Sequence, residues 1–137
     1  MIQVKTHIGP SYIHGIGLFA SENISKDTVI WKFTEGIDRW IDAELVQDLS
    51  KNEQDFIENA AVYDEDEDAY CLVADNVRFI NHSEYSNCGE TVNTTDEGLE
   101  LFALRDIKKD EEITLNYNEM EEGSDDFTNE KQQTFNK

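Results

Sequence analysis

Arg78-Phe79-Ile80-Asn81-His82-Ser83 is the stretch of sequence that decides the fold of this chain. It places an amide and an imidazole directly after two large apolar residues, and Asn87 and Cys88 follow a few positions later. Taken alone, the stretch favours a short buried turn in which Asn81 and His82 hydrogen-bond backbone groups. A zinc site on His82 and Cys88 has little support, because no second pair of ligands has zinc spacing.

Two other stretches change the interpretation. The first is His14-Gly15-Ile16-Gly17-Leu18-Phe19-Ala20, where missing side chains would let a ligand lie against the backbone. Glycine pairs also occur in ordinary tight turns, and this pair lacks the third glycine and the following helix of a dinucleotide site. The second is Glu111-Glu112-Ile113-Thr114-Leu115-Asn116-Tyr117, an alternating strand. An aromatic residue at a strand end usually packs in a core, so a functional role for Tyr117 depends on the other two stretches.

The composition limits the classes of partner. The 137 residues suit one domain, and 31 Asp and Glu against 11 Lys and Arg give a formal net charge of −20. Such a surface repels phosphate backbones and anionic membranes, so we expect neither direct nucleic-acid binding nor membrane binding. It would attract a Lys- or Arg-rich partner. The charge could equally serve to keep the protein soluble, and the two interpretations are compatible.

The two cysteines, Cys71 and Cys88, are too few for a disulfide scaffold and fit a reducing compartment. Cys71 has no evident His partner in the sequence, so we predict a buried structural thiol rather than a nucleophile. No apolar run is long enough to span a bilayer, and the first residues lack a secretion signal. The expectation is an intracellular, soluble protein, cytoplasmic if it is bacterial.

Short alternating or β-branched runs predict strands at 2–6, 18–20, 28–33, 70–73, 91–93, 99–104 and 113–117, the fifth and sixth as a hairpin. Between Ile41 and Ala60 the apolar residues recur at helical spacing, as one helix or as two broken near Ser50-Lys51-Asn52. Five adjacent acids at 64–68 predict a solvated loop. The prediction is an α+β fold, mostly β, of several small sheets. It comprises a domain over 1–120 with a helical insert at about 38–68, and an acidic and polar tail over 121–137 that is partly mobile.

In this order, the three stretches resemble the SET domain family of protein-lysine methyltransferases. The similarity runs from Tyr12 to Tyr117 and is closest to compact, stand-alone members of bacterial or viral type. The resemblance implies a SET fold in which the Asn81-His82 segment is tucked under a loop near Tyr117, forming a C-terminal pseudoknot. It implies transfer of a methyl group from S-adenosylmethionine to a lysine side chain of a basic protein or peptide. The alternative is a catalytically silent SET-fold module that holds a basic partner through its acidic surface.

The resemblance also assigns the cofactor residues. The backbone at Gly15, Ile16 and Gly17 is expected to cradle S-adenosylmethionine. Asn81 is expected to hydrogen-bond the cofactor, and the backbone at His82 to meet its adenine. The remaining assignments are Tyr117 as the catalytic residue between cofactor and lysine, Phe127 as a cover over the adenine, and Arg78 as a brace for the knot.

The lysine channel is expected to differ from that of many relatives. Glu84 stands where many eukaryotic members have a cysteine, and the cysteine cluster beyond the last strand is absent, so no metal is expected. The segment 118–127 or a second copy of the chain would then close the channel, leaving monomer and homodimer both open. Leu115 and Tyr70 are the candidate lining residues, with a packing role equally open for Tyr70. A leucine at 115 predicts tolerance of more than one methylation.

Overall fold

The structure is a computed structural model that describes residues 1–65, 67–92 and 99–118. The helices are α1 (Ala43–Gln47), α2 (Lys51–Ala60) and a 3₁₀ helix (Asn76–Phe79). The strands are β1 (Thr6–Pro10), β2 (Ile16–Ala20), β3 (Val29–Lys32), β4 (Arg39–Asp42), β5 (Ala61–Asp64), β6 (Ala69–Leu72), β7 (Asn81–His82), β8 (Cys88–Val92), β9 (Leu99–Ala103) and β10 (Glu112–Leu115). The predicted class, α+β and mostly β in small sheets, is confirmed. Neither α-helix in the described part of the chain has the length and apolar character needed to cross a membrane.

The larger sheet has seven strands in the order β1-β2-β10-β8-β9-β3, with β7 also paired to β10. Its central strand, β10, is buried at Ile113, Thr114 and Leu115 in succession, because both faces of the strand are covered. The main core lies against this strand, and its largest fully buried apolar side chains are Trp31, Leu18, Ile30, Ile80, Ile107 and Ile113.

A crossing of the chain surrounds the end of β10. Leu115 pairs in parallel with His82 of β7 and with Cys88 of β8. A residue in a strand can pair with two neighbouring strands only when these lie on opposite edges of its own strand, so β7 and β8 flank β10 on opposite sides. The loop 83–87 that joins them therefore passes across the end of β10, while the chain continues beyond it to Tyr117. This arrangement confirms the expected pseudoknot.

The insert combines the two α-helices with a three-stranded antiparallel sheet of order β4-β6-β5. The helices are separate because Ser50 caps α2: its hydroxyl accepts the Glu53 N–H while the Glu53 carboxylate accepts the Ser50 N–H. Of the two predicted alternatives, the pair of helices is confirmed. Val46, Ile57 and Ala61 form a second, smaller core against this sheet.

Several predicted boundaries were wrong. The strand predicted at 2–6 lies at Thr6–Pro10, because this segment pairs with β2 from Thr6↔Ala20 to Pro10↔Ile16, whereas Ile2 makes only a single bridge to Trp31. Ile41 does not begin a helix but belongs to β4.

The acidic loop and the last strands also differ from the prediction. Asp64 is the last residue of β5, so the acidic turn is shorter than predicted. The 91–93 strand begins at Cys88 and pairs with β9 as the predicted hairpin, whose loop 93–98 lies outside the described residues. The final strand ends at Leu115, two residues before Tyr117.

Candidate functional site

The turn between β1 and β2 presents its backbone to solvent. The Ser11 N–H donates to the Gly15 carbonyl at 2.9 Å, and the Ser11 hydroxyl accepts the N–H groups of Ile13 and His14 at 2.9 and 3.3 Å. Gly15 has φ +45°, a left-handed conformation that glycine adopts without strain. No atom lies within 4 Å of where a Gly15 Cβ would stand, so this side of the turn is open.

Asn81 connects this turn to the centre of the sheet. Its side chain is buried, and its Nδ2 lies 3.0 Å from the His14 carbonyl, 3.3 Å from the Ile16 carbonyl and 2.9 Å from Glu112 Oε1. The parallel pairing of β7 with β10 sets Asn81 opposite Thr114, which brings its amide beneath the turn. The structure therefore brings together four residues that the sequence predicted as one site, namely Gly15, Ile16, Gly17 and Asn81.

Glu112 is a member of this cluster that sequence reasoning missed. Its carboxylate accepts the Ser11 hydroxyl, with oxygen–oxygen distances of 2.8 and 2.9 Å, and the Asn81 amide. A Cβ on Gly17 would stand 2.2 Å from Glu112 Oε1, so the missing side chain of Gly17 makes room for this carboxylate. One signal was present in the sequence. An acid within a strand beside the buried Ile113 must find hydrogen-bond partners when it is partly buried.

Tyr117 and His82 lie against each other at the crossing. The Tyr117 N–H donates to His82 Nδ1 at 3.1 Å, and the two ring centroids are 5.1 Å apart. The Tyr117 hydroxyl donates to the Ile80 carbonyl, and only 6% of the residue is exposed. Burial raises the pKa of Tyr117 well above its usual range, so the phenol is neutral at physiological pH. Tyr117 can orient a neighbour or donate a hydrogen bond, but it is not ionised to act as a base.

Asn87 fastens the other edge of β10. Its buried side chain replaces a backbone pairing: Oδ1 accepts the Thr114 N–H at 2.9 Å, and Nδ2 donates to the Glu112 carbonyl at 2.8 Å. Neighbouring Glu111 pairs with Arg105, and that hydrogen bond is the main reason its carboxyl pKa lies below its usual value. The two amides that follow Arg78-Phe79-Ile80 thus hold β10 from both sides.

The predicted channel residues lie in different parts of the fold. Leu115 is buried in the main core together with Tyr117. Tyr70 is on β6, packs against the smaller core of the insert, and lies with its ring centroid 5.1 Å from that of Tyr63. Burial is the main reason that the pKa of Tyr70 is raised. The contacts of the described residues do not bring Tyr70 to Leu115, and Phe127 lies outside the described residues.

The remaining reactive groups are inert or turned elsewhere. Cys71 and Cys88 are buried free thiols, and burial raises the pKa of each to about 12, so neither is a nucleophile at neutral pH. No group of three metal-binding side chains occurs within residues 1–65, 67–92 and 99–118. The Arg78 guanidinium lies 4.7 Å from the centroid of the Phe79 ring, on an exposed side of the 3₁₀ helix.

Comparison with known protein families matches residues 15–118 to the SET domain. The chain belongs to the SET domain family. The matched range contains Gly15, Ile16, Gly17, Asn81, Glu112 and Tyr117, so most of the cluster described above lies within this SET domain.

Curated relatives carry the name histone-lysine N-methyltransferase, H3 lysine-4 specific. The Schizosaccharomyces pombe protein is 33% identical over 124 residues, which cover 86% of this chain and 13% of that protein. The Aspergillus oryzae protein is also 33% identical over 124 residues, covering 85% of this chain and 10% of its own. The chain therefore spans only about a tenth of the length of these relatives.

Solved structures share the fold. A Plasmodium falciparum candidate histone methyltransferase superposes with a TM-score of 0.60 at 24% identity, covering 85% of this chain and 95% of its own. A chain of the Chaetomium thermophilum Polycomb Repressive Complex 2, in an autoinhibited conformation bound to S-adenosylmethionine, gives a TM-score of 0.63 at 20% identity. That alignment covers 85% of this SET domain and 15% of the larger chain. At these identities the likeness establishes the fold alone.

Proposed function

We propose that this SET domain is a protein-lysine N-methyltransferase that uses S-adenosylmethionine as methyl donor. The observation that carries the proposal is the convergence of three distant segments. Asn81 holds the carbonyls of the glycine turn, and Tyr117 packs on His82 directly beside it. Membership of the SET family and the names of the curated relatives support the same activity.

The glycine turn fits the proposed cofactor. Gly15 presents exposed backbone with open space on its side-chain face, and Ile16 beside it is half exposed, offering an apolar surface. Asn81 fixes the carbonyls of the turn from below, which keeps its outer face available. Gly15 and Ile16 therefore offer the exposed surface that would meet S-adenosylmethionine, which when bound supplies a methyl group on a cationic sulfonium. Gly17, Asn81 and His82 are the further cofactor residues that the family pattern implies, and the contacts of Gly17 and Asn81 with Glu112 hold the turn in place.

Tyr117 acts in this proposal by position rather than by taking a proton. Its neutral hydroxyl is directed at the Ile80 carbonyl, and its ring is held against His82. An electron-rich ring stabilises a neighbouring cation, and a fixed hydroxyl dipole aligns an attacking amine. A free lysine has a pKa of about 10.4, so the substrate amine must lose its proton through desolvation in the channel.

The charge of the chain supports a basic substrate. A net charge of −20 steers Lys- and Arg-rich segments toward the protein. The relatives named for lysine 4 of histone H3 make a histone H3 tail peptide the first substrate to assay. If steering contributes, methylation of this peptide slows as ionic strength rises.

The decisive experiment measures cofactor binding by calorimetry and methyl transfer to a histone H3 tail peptide by mass spectrometry. Tyr117→Phe keeps the ring but removes the hydroxyl, and we expect it to bind the cofactor while losing about tenfold or more in turnover. Tyr85→Phe is the matched control, because Tyr85 is 89% exposed, and it should behave as wild type.

The two classes of function separate in the same experiment. Cofactor binding without turnover on a broad panel of basic proteins would favour the silent binding module. Absence of cofactor binding would defeat the proposal itself. A strictly monomethylated product would contradict the expectation attached to Leu115.

A further inference from the structure

A groove of about 360 Å³ lies between the insert and the 3₁₀ helix, away from the candidate methyl-transfer site. Ile37 and Phe56, which are 49% and 57% exposed, form apolar walls together with Leu72. Arg39 of β4 and Arg78 of the 3₁₀ helix also line it. None of the candidate cofactor residues or Tyr117 contributes to this lining, so the SET chemistry leaves the groove unexplained.

The two arginines of the groove have no carboxylate partner among the described residues, whereas the third arginine of the chain, Arg105, pairs with Glu111. The one acid in the lining, Asp75, is already engaged by backbone, accepting the N–H groups of Ile2 at 2.6 Å and Val77 at 3.1 Å. In a chain with 31 acids and 11 bases, two arginines that line one groove without a carboxylate partner among the described residues indicate that an external group supplies the carboxylates.

The backbone beside the groove favours a peptide over a small molecule. β4, which carries Arg39, is an outer strand of the sheet β4-β6-β5, and within the described residues no strand pairs with its second edge. An open edge of this kind accepts an extended segment through main-chain hydrogen bonds, while neighbouring pockets select its side chains. The apolar walls provide such a pocket, and the arginines provide charge selection.

We propose that this groove is a docking site for a short, extended, acidic segment of a partner protein. Carboxylates of the segment pair with Arg39 and Arg78, and an apolar side chain packs on Ile37 and Phe56. Arginine suits this role because its planar guanidinium binds a carboxylate with two hydrogen bonds. Nucleic acid carries a negative charge at every nucleotide, so the net charge of −20 repels it more strongly than a short segment whose few carboxylates pair with Arg39 and Arg78.

The test measures binding of fluorescein-labelled decapeptides to the full chain by fluorescence polarisation. Four peptide classes are compared: acidic with Leu or Phe, acidic without them, the amide counterparts (Asn and Gln) with Leu or Phe, and basic with Leu or Phe. We expect the first class to bind best. Arg39→Gln and Arg78→Gln should each weaken binding of this peptide class by roughly threefold to tenfold. This range lies between the loss expected for an exposed ion pair and the loss expected for a buried hydrogen bond to a charged group.

Two controls isolate the local contact. Lys26→Gln changes the net charge by the same amount at an exposed turn outside the groove and should leave peptide binding unchanged. The amide peptides should be insensitive to the arginine substitutions, so the double variant should bind acidic and amide peptides alike. Circular dichroism and a thermal melt verify that each variant is folded, and Phe56→Ser provides a second, uncharged test because Phe56 is largely exposed.

Several outcomes would overturn the proposal. Equal binding of acidic and amide peptides to the wild type would remove the role of charge. Equal losses in Lys26→Gln and the arginine variants would mean that only net charge matters. Binding of a single-stranded oligonucleotide that the arginine substitutions abolish would identify nucleic acid as the occupant. A dimer in sedimentation that Arg39→Gln and Arg78→Gln convert to monomer would identify a second copy instead. Methyl-transfer activity is not needed for any of these readouts.

Discussion

Gly17→Ala and Glu112→Ala should be far from additive in their effects on stability. A Cβ at Gly17 would stand 2.2 Å from Glu112 Oε1, a separation that side chains do not adopt, so the carboxylate must move. Glu112 is a flexible side chain, but its carboxylate is held by Ser11 and Asn81. Moving it therefore costs the same two charged hydrogen bonds that Glu112→Ala removes.

The structure sets the size of each effect. Two hydrogen bonds to a charged group, taken at the low end because Glu112 is only partly buried, contribute about 3 kcal/mol. Each single substitution should lower the free energy of unfolding by about that amount. In the double variant the carboxylate is lost only once, so the total should be about 3–4 kcal/mol rather than about 6. The expected coupling energy is about 2–3 kcal/mol.

Urea denaturation of the four proteins in the cycle measures this coupling, with calorimetry of S-adenosylmethionine as a second readout. Gly15→Ala in place of Gly17→Ala is the matched control. Its Cβ would meet no atom within 4 Å, and its cost of about 1 kcal/mol comes from the left-handed backbone. That cost should add to the cost of Glu112→Ala. If Gly17→Ala and Glu112→Ala also added within about 0.5 kcal/mol, Glu112 would not be the group that makes glycine necessary at 17.

Three other substitutions test the rest of the fold. Burial, with the nearby Asp64, raises the pKa of Glu90 to about 7 from the 4.5 of an unperturbed Glu, so the native state keeps a proton that the unfolded state has lost. Stability should therefore fall as pH rises from about 4.5 to 7, by about 2 kcal/mol after allowance for partial exposure, and Glu90→Gln should abolish that slope in urea titrations at several pH values. Asn87→Ala leaves two backbone groups of β10 unpaired and should lower the free energy of unfolding by about 2–4 kcal/mol. The same change at the less buried Asn116 should lower it by less than about 1 kcal/mol. Equal losses in the two variants would contradict the role of Asn87. Ser50→Ala removes the cap of α2 and should cost about 1 kcal/mol in thermal unfolding, and an unchanged melting temperature would mean that the packing of the insert alone sets this helix.

The candidate site was predictable from the sequence to the extent that it depends on the order of motifs. Asn81 and the glycine turn were placed together because their residue types and order resemble one family. Glu112 was not found, because its hydrogen bonds to Ser11 and Asn81 span 101 and 31 residues and depend on strand register. The sequence around Glu112 indicated only that an acid in this strand needs hydrogen-bond partners, and not which residues these are.

The insert shows where apolar spacing misleads. Ile41 continues the helical spacing of the residues after it, yet Arg39–Asp42 pairs with β6 from Arg39↔Leu72 to Asp42↔Ala69. Ile41 packs against the same small core that α1 and α2 cover, so a strand residue and two helices present one apolar surface. Over a few residues the helical and the strand spacing of apolar residues cannot be told apart, and the packing partner in the fold decides which structure forms.

The two glycines show the same limit at the site itself. In the sequence Gly15 and Gly17 form one Gly-x-Gly pair with one expected role. In the structure Gly15 faces open space in a left-handed conformation, which suits close approach by a ligand, whereas Gly17 faces the Glu112 carboxylate. Only the first of these arrangements offers space for a cofactor against the missing side chain.

Glu112 therefore couples the stability of the sheet to the geometry of the proposed cofactor turn. Asn81 binds the Glu112 carboxylate from one edge of β10, and Asn87 binds the Glu112 carbonyl from the other. Both amides follow Arg78-Phe79-Ile80 within nine residues, so the stretch that positions the turn also secures the central strand. A loss of activity on changing Asn81 or Glu112 consequently combines a displaced turn with a weakened sheet. Only a comparison with Asn87→Ala, which weakens the same strand without touching the turn, separates the two effects.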